Sequence, residues 1–277
     1  HSGVVQNALP LKFQKMVRWR TILRRVPALA NPQKNKFNKR DPGHSQKLKR
    51  TAFCRKHKDK NYQRWQSHLQ AVGDFKEFTW YPKELQSKFQ KLRAPWTYMT
   101  AKEKKKGPFL RPKRWFPKKD WKKTKKQKVF GLTTSNGKSL VFVVPKPFSA
   151  EQWAVLVKKR VAPFLKKSFP RLQSFNILLD GEGLLHAPAA KAAYRKANMS
   201  TEPGWPKYSP DLNPQENVWA WAESRLRELE TGADTFEQWQ GKVLRAVSDY
   251  PSSSKLVGSM AKRCKTVLDR SGAMNDS

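Results

Sequence analysis

Acidic residues are scarce in this 277-residue chain, where 21 Asp+Glu stand against 58 Lys+Arg and leave a formal net charge of +37. That imbalance excludes an ordinary cytosolic enzyme of small neutral metabolites and points to a polyanionic partner. Cysteine is scarcer still. Cys54 and Cys264 are far apart and lack metal-ligand spacing, so neither a disulfide framework nor a cysteine zinc site is indicated, and a reducing compartment fits. Long apolar runs are missing as well: nothing approaches the roughly 18–20 residues of a membrane span, and the first residues lack the basic-then-apolar pattern of a secretory signal. An initiating methionine is also absent, and the start at His1 suggests a fragment with an upstream part missing. What the chain does have is a core's worth of apolar material, 38% hydrophobic and 12% aromatic residues, so wholesale disorder is excluded.

The charge is concentrated at one end. Residues 1–130 hold 37 Lys+Arg and 7 Asp+Glu, net +30, against 21 and 14, net +7, in the remainder. The N-terminal half grips a polyanion, while the C-terminal half reads as a globular domain. Ile22, Leu23 and Val26 lie among Arg18, Arg20, Arg24 and Arg25 in a short basic amphipathic helix over 18–26. A Pro- and Asn-containing linker over 30–43 follows, then two basic helices over 44–69, the first with Leu48, Ala52 and Phe53 as its buried stripe. Residues 71–81 have the aromatic content of a strand. Residues 101–128 form a lysine-rich surface segment punctuated by Pro and Trp, with Lys104, Lys105, Lys106, Lys118, Lys119, Lys122, Lys123, Lys125 and Lys126 placed to lie on nucleic acid.

Asn136-Gly137 supplies the positive φ angles of a tight turn and predicts an antiparallel hairpin over about 128–144. Ser149 and Gln152 stand at capping-box spacing before a helix over 149–165. A buried strand over 175–180 stops on Asp180, a helix opens near Pro188, and another spans 214–229 with Val218, Ala222, Leu226 and Leu229 on one face. Two more helices, about 234–249 and 252–269, close a mixed α/β sheet with helical flanks.

Two acids stand where chemistry is possible. Asp180 ends an apolar strand, and strand carboxyl ends in α/β sheets open onto crevices, so it is a candidate metal ligand. It could equally cap the turn of Asp180-Gly181-Glu182-Gly183. Glu216 sits at the third helical position behind Asn213 and Pro214, the pattern of a capping box, yet it lies off the apolar stripe and could face a cleft beside the sheet. His186 reads as a hydrogen-bonding residue rather than a ligand.

In combination these residues say more. Residues 204–228, GWPKYSPDLNPQENVWAWAESRLRE, resemble the block that ends the catalytic domain of Tc/mariner-superfamily DDE transposases: Trp-Pro, then Ser-Pro-Asp-Leu-Asn-Pro, then x-Glu-x-x-Trp. ILLDGEGLLHAPAAKAAYRK (177–196) is similar to the family's strand-terminal aspartate followed by a histidine and a small-residue helix. FGLTTSNGKSLVFVV resembles its hairpin, and LVGSMAKRCKTVLDRSGA (256–273) its C-terminal helix. Upstream, TILRRV and the basic helix after it look like the end of the family's second helix-turn-helix. The resemblance runs from about residue 15 to 273, with the first helix-turn-helix absent.

By position, Asp180 matches the family's second catalytic acid and Glu216 the third. The 35 residues between them are one more than the family usually has, and the extra one falls between Asp180 and His186. The first acid is best matched by Asp74, favoured over Glu77, although Phe75 stands where the family has Glu. The resemblance implies a ribonuclease-H-like mixed sheet with flanking helices over 71–273, carrying the lysine-rich insertion at 101–128. Basic bridging helices (44–70) and a partial helix-turn-helix with linker (1–43) would precede it.

It also implies a DNA transposase in which Asp74, Asp180 and Glu216 hold two Mg²⁺ (or Mn²⁺) ions. Its partners would be double-stranded DNA, both the terminal repeats and the target, and a second copy in a synaptic homodimer. It would act in the nucleus, with no membrane involved. The alternative is a former transposase persisting as an inactive DNA-binding protein. A basic RNA- or ribosome-associated protein would explain the charge but not residues 204–228.

Overall fold

A computed structural model describes residues 42–82, 84–85, 122–231, 234–251 and 255–274, with the backbone of 32–34 and 96–98. Contacts divide the chain into two units, one of residues 1–40 and 81–124 and the other of 41–80 and 125–277. In the first, Pro32–Lys34 pairs antiparallel with Trp96–Tyr98, so part of the stretch read as a linker carries strand backbone. The basic helix expected over 18–26 lies outside the described residues, as does the lysine-rich segment up to residue 121.

The second unit is built on a five-stranded mixed sheet. Its strands are β1 (Ala71–Trp80), β2 (Lys125–Thr134), β3 (Ser139–Val144), β4 (Phe175–Leu179) and β5 (Met199–Thr201), in the order β3-β2-β1-β4-β5. The pairs β3/β2 and β2/β1 are antiparallel, while β1/β4 and β4/β5 are parallel. The predicted hairpin is present, but β2 begins at Lys125, inside the segment expected to be a surface loop. Its turn differs too: of Asn136 and Gly137 only Gly137 has positive φ, at 85°. A single left-handed glycine after the turn joins these strands, in place of the paired positive angles of the tightest hairpin. The three-residue edge strand β5 is too short to leave a periodic signal in sequence.

Helices cover both faces of the sheet. On one lie α3 (Ala150–Leu156), a π turn (Val157–Val161), α4 (Ala162–Ser168) and α5 (Pro188–Lys196). Their Trp153, Val157, Val161, Leu165 and Tyr194 pack on Ala71, Phe130, Leu132, Phe142, Ile177 and Leu179. The other face carries α6 (Gln215–Leu229) and α7 (Phe236–Ser248), with the preceding α1 (His44–Lys56) and α2 (Tyr62–His68) and the closing α8 (Lys255–Gly258) and α9 (Met260–Asp269). There Trp219, Leu226, Trp239, Trp65 and Met260 join a core that includes Val72, Phe78, Val129 and Leu178. Burying each such side chain contributes about 1.5–3 kcal/mol. The Ser149/Gln152 capping box opens α3 as expected, and Thr235 with Gln238 opens α7 the same way.

Helix α1 departs from its predicted stripe. Leu48 is 55% exposed and Ala52 is exposed, and the buried positions are Arg50, Thr51, Phe53 and Cys54. The register is set by Arg50, whose guanidinium finds a carboxylate in the interior and so can be buried where hydrophobicity would not put it. Cys54 and Cys264, remote in sequence, are both free and buried. Among the described residues no helix is long and apolar enough to cross a membrane.

Candidate active site

The site is assembled around Asp74, near the middle of the central strand β1. Alternation along β1 sends neighbouring side chains to opposite faces. Phe75 enters the dry core against Phe130, Phe148 and Trp153, while Asp74 turns toward the start of α6. Its cross-strand neighbour is Gly131. A Cβ there would lie 2.5 Å from Cη2 of Trp219, so only glycine lets that indole lie against the sheet.

Three donors hold the Asp74 carboxylate. Oδ1 accepts the Phe75 backbone N–H at 2.7 Å, and Oδ2 accepts Asn213 Nδ2 at 3.2 Å and Trp219 Nε1 at 3.3 Å. Even so, burial, the charge of Asp180 and the charge of Glu216, in that order, push its pKa up to about 7. Three acids distant in sequence therefore repel one another across one small region, as like charges gathered around an ion-binding position do. Asp180 arrives on the residue after β4, which lies parallel beside β1. The loop behind it is fixed by His186, whose Nε2 donates to the Asp180 carbonyl at 2.9 Å. This is the hydrogen-bonding role expected of His186.

Glu216 arrives on the first turn of α6. The expected cap is only partly realised. Asn213 Oδ1 does accept the Gln215 N–H at 3.1 Å, but the Asn213 backbone N–H donates to the carbonyls of Ser209 and Pro210, which take the place of a capping-box carboxylate, while its side-chain Nδ2 donates to Asp74. Asn213 thereby bridges the helix start and Asp74. Glu77, the other contender for the first acid, lies apart from the cluster and is paired with Lys126 at 2.5 Å and with Lys146.

The turn-rich approach to α6 is pinned from behind. Asp211 receives both terminal nitrogens of Arg50, at 2.8 and 2.6 Å, and Arg50 Nε donates to the Gly272 carbonyl at 2.8 Å. Arg263 donates to the Asp211 carbonyl and, at 2.9 Å, to Asn217 Oδ1. A buried fork-to-fork pair of this kind fixes direction as well as distance.

Comparison with known proteins identifies the family and the fold. A family model described as "DDE superfamily endonuclease" matches residues 99–239, just over half of the chain, including Asp180 and Glu216 but not Asp74. The chain belongs to the DDE superfamily of endonucleases. Its relatives are of the Tc/mariner type. The Transposable element Tc1 transposase of Caenorhabditis elegans is 40% identical over 70 residues, and the Tcb1 transposase of Caenorhabditis briggsae 37% over 70. Each match covers 24% of this chain and only a quarter of the relative.

Solved structures share the fold. A pre-cleavage Mos1 transpososome matches with TM-score 0.58 and 16% identity over 99% of this chain and 79% of that one. The catalytic domain of Mos1 mariner transposase matches with TM-score 0.53 and 14% identity over 85% and 98%. The five-stranded mixed sheet of this DDE endonuclease is thus the expected ribonuclease-H-like sheet.

Not every expected residue joins the site. Arg18, Arg20, Arg24, Arg25, Lys104, Lys105, Lys106, Lys118 and Lys119 lie outside the described residues. Lys122 and Lys123 are exposed. Lys125 is on β2 over the rings of Trp80 (5.9 Å) and Phe236 (5.0 Å), and Lys126 is engaged with Glu77. Conversely, Asn213, Trp219, Gly131 and the Arg50–Asp211 pair were not singled out as functional residues. Three of them lie within the Ser-Pro-Asp-Leu-Asn-Pro and Glu-x-x-Trp block that carries the family resemblance, so that block was the signal. The geometry explains it as a device for holding Asp74 and presenting Glu216.

Proposed function

We propose that this chain is a DNA transposase that cuts DNA at the ends of its element and joins the 3′ ends to a new site, with Asp74, Asp180 and Glu216 as its catalytic acids. The observation that carries the reading is the convergence of three carboxylates from β1, the end of β4 and the start of α6, where burial and then the charges of Asp180 and Glu216 raise the pKa of Asp74 to about 7. An all-oxygen donor set carrying surplus negative charge fits Mg²⁺ or Mn²⁺, and cations of this type accompany the Mos1 paired-end complexes that share the fold. Asp74, Asp180 and Glu216 would hold two such ions, which when bound supply charge stabilisation and activation of an attacking oxygen.

The chain's own residues do the rest. Asn213 and Trp219 orient the Asp74 carboxylate, and burial together with the charges of Asp180 and Glu216 keeps it partly protonated near neutral pH. His186 holds the turn that presents Asp180. Phe75, standing where the family has Glu, points into the opposite core and leaves the acid cluster intact. Lysines and arginines of the N-terminal half, Lys122 and Lys123 among them, would contact DNA phosphates in a salt-dependent way that carries little sequence information. A homodimer acting on two DNA ends in the nucleus completes the proposal.

The test is divalent-cation-dependent nicking of supercoiled plasmid by the purified chain, with DNA retention measured in parallel. Asp180→Asn and Glu216→Gln should each abolish nicking and leave DNA affinity unchanged. Nicking that survives both changes would refute the assignment.

A further inference from the structure

A second group of ligand-capable side chains comes together away from the acids. His57 follows α1, His68 ends α2 and Glu202 follows β5, and one ligand atom from each lies within 4.8 Å of the other two. The side chains of Glu202 and His57 are 1% and 3% exposed, and that of His68 is 31% exposed. Both imidazoles bring Nε2 close to the carboxylate: His68 at 2.7 Å from Oε2 and His57 at 3.1 Å from Oε1. Asn176 Nδ2 donates to Glu202 Oε2 at 2.8 Å, the kind of outer hydrogen bond that steadies a ligating carboxylate.

His57 separates a metal site from a simple hydrogen-bonded triad. Neither of its ring nitrogens makes a hydrogen bond, although both are buried and Nε2 is close enough to Oε1 for one. The two atoms are near without being aimed at each other, which is how ligand atoms sit around a shared centre. With bonds of about 2.0–2.1 Å in a tetrahedral site, neighbouring ligand atoms are about 3.3 Å apart. The His57 contact, to Oε1 at 3.1 Å, already has nearly that spacing, and the His68 contact, to Oε2 at 2.7 Å, needs to open by about 0.6 Å as the carboxylate turns to present one oxygen.

Two imidazoles and one carboxylate suit Zn²⁺ better than Mg²⁺, which prefers oxygen alone. His68 also lines an open groove of about 400 Å³ with Lys56, Asp59, Lys60, Arg64 and Ser67, which gives an ion a route in and a water a fourth position. We propose that His57, His68 and Glu202 bind one Zn²⁺ ion that fastens the α1–α2 segment to the outer edge of the sheet. The proposal is independent of the transposase reading, since it assigns the ion a structural role and different residues.

It is tested on the full chain carrying Asp180→Asn and Glu216→Gln, so that the acid cluster does not compete for cations. After chelation the protein is titrated with Co²⁺ and then Zn²⁺. The expected result is one equivalent of Co²⁺ with the intense visible bands of a four-coordinate site, displaced by Zn²⁺, and a Zn²⁺-dependent rise in Tm.

His68→Gln, at the partly exposed position where folding is least at risk, should abolish both signals. Asn176→Ala should weaken Zn²⁺ affinity by about 10–100-fold, the usual cost of an outer-shell partner. Zn²⁺ affinity and Tm shift unchanged by His68→Gln, or no Co²⁺ bands in the starting protein, would overturn the proposal.

Discussion

Adjacent residues of one strand lead to opposite environments in this protein. On the Phe75 face the sheet meets aromatic and aliphatic side chains, and the large polar-tipped ones are paired: Trp153 Nε1 donates to Tyr194 Oη at 2.6 Å, and Tyr194 Oη to the Leu185 carbonyl at 2.9 Å. On the Asp74 face a carboxylate is buried beside two more acids and is held by three hydrogen bonds that do not offset its neighbours. The first face is arranged for stability. The second keeps an electrostatic conflict that folding alone would not retain, which is where a functional site differs from a core.

That contrast can be broken most severely from the apolar side. Trp153→Ala removes the indole at the centre of that packing and leaves Tyr194 without its donor, so urea unfolding should register a loss of about 3–5 kcal/mol. Metal-dependent nicking by the fraction that remains folded should be unchanged. A loss under about 1 kcal/mol would mean that this face is not the stabilising one.

The opposite sign is expected at Asp74. Its folded pKa of about 7 lies above the unfolded value, so the native state binds a proton the unfolded chain lacks as pH rises through the window between them. Without divalent cations, stability should fall between about pH 4 and 7 and stay low above it, by roughly 4 kcal/mol at full deprotonation. Asp74→Asn should therefore stabilise the cation-free protein at pH 8 while eliminating nicking, and change little at pH 4. Thermal unfolding at the two pH values measures this, and equal stability of variant and parent at pH 8 would remove the conflict from the description.

The smallest effect belongs to Asn213→Ala. Losing the helix-start bond to Gln215 should cost about 1 kcal/mol. Nicking should fall by more than that stability loss explains, because the Asp74 carboxylate loses one of its orienting donors. Activity that tracks stability alone would reduce Asn213 to a cap.

Much of this was legible in the linear chain. Strands end where apolar runs stop, so Asp180 could be placed at a strand terminus, and Ser149 with Gln152 shows how short-range capping signals fix a helix start. Signals carried by contact were not legible. Leu48 looked like the buried face of α1 because it is hydrophobic, but Arg50 occupies that face because Asp211, 161 residues away, receives its guanidinium. Lys125 and Lys126 read as part of a basic loop, although their backbone continues the sheet. His57, His68 and Glu202 gave no pattern, since their spacing matches no local ligand motif.

The sequence by itself determined the order of the longer strands and helices from residue 44 onward, the concentration of positive charge in the N-terminal half and, through residues 204–228, the family. Each depends on neighbours in the chain or on a block of adjacent residues. Only tertiary structure decided that Asp74 rather than Glu77 faces Asp180 and Glu216, and that Gly131, Trp219 and Asn213 surround it. Those outcomes turn on strand pairing and on which face of β1 a side chain leaves, and a one-residue change of register would reverse them.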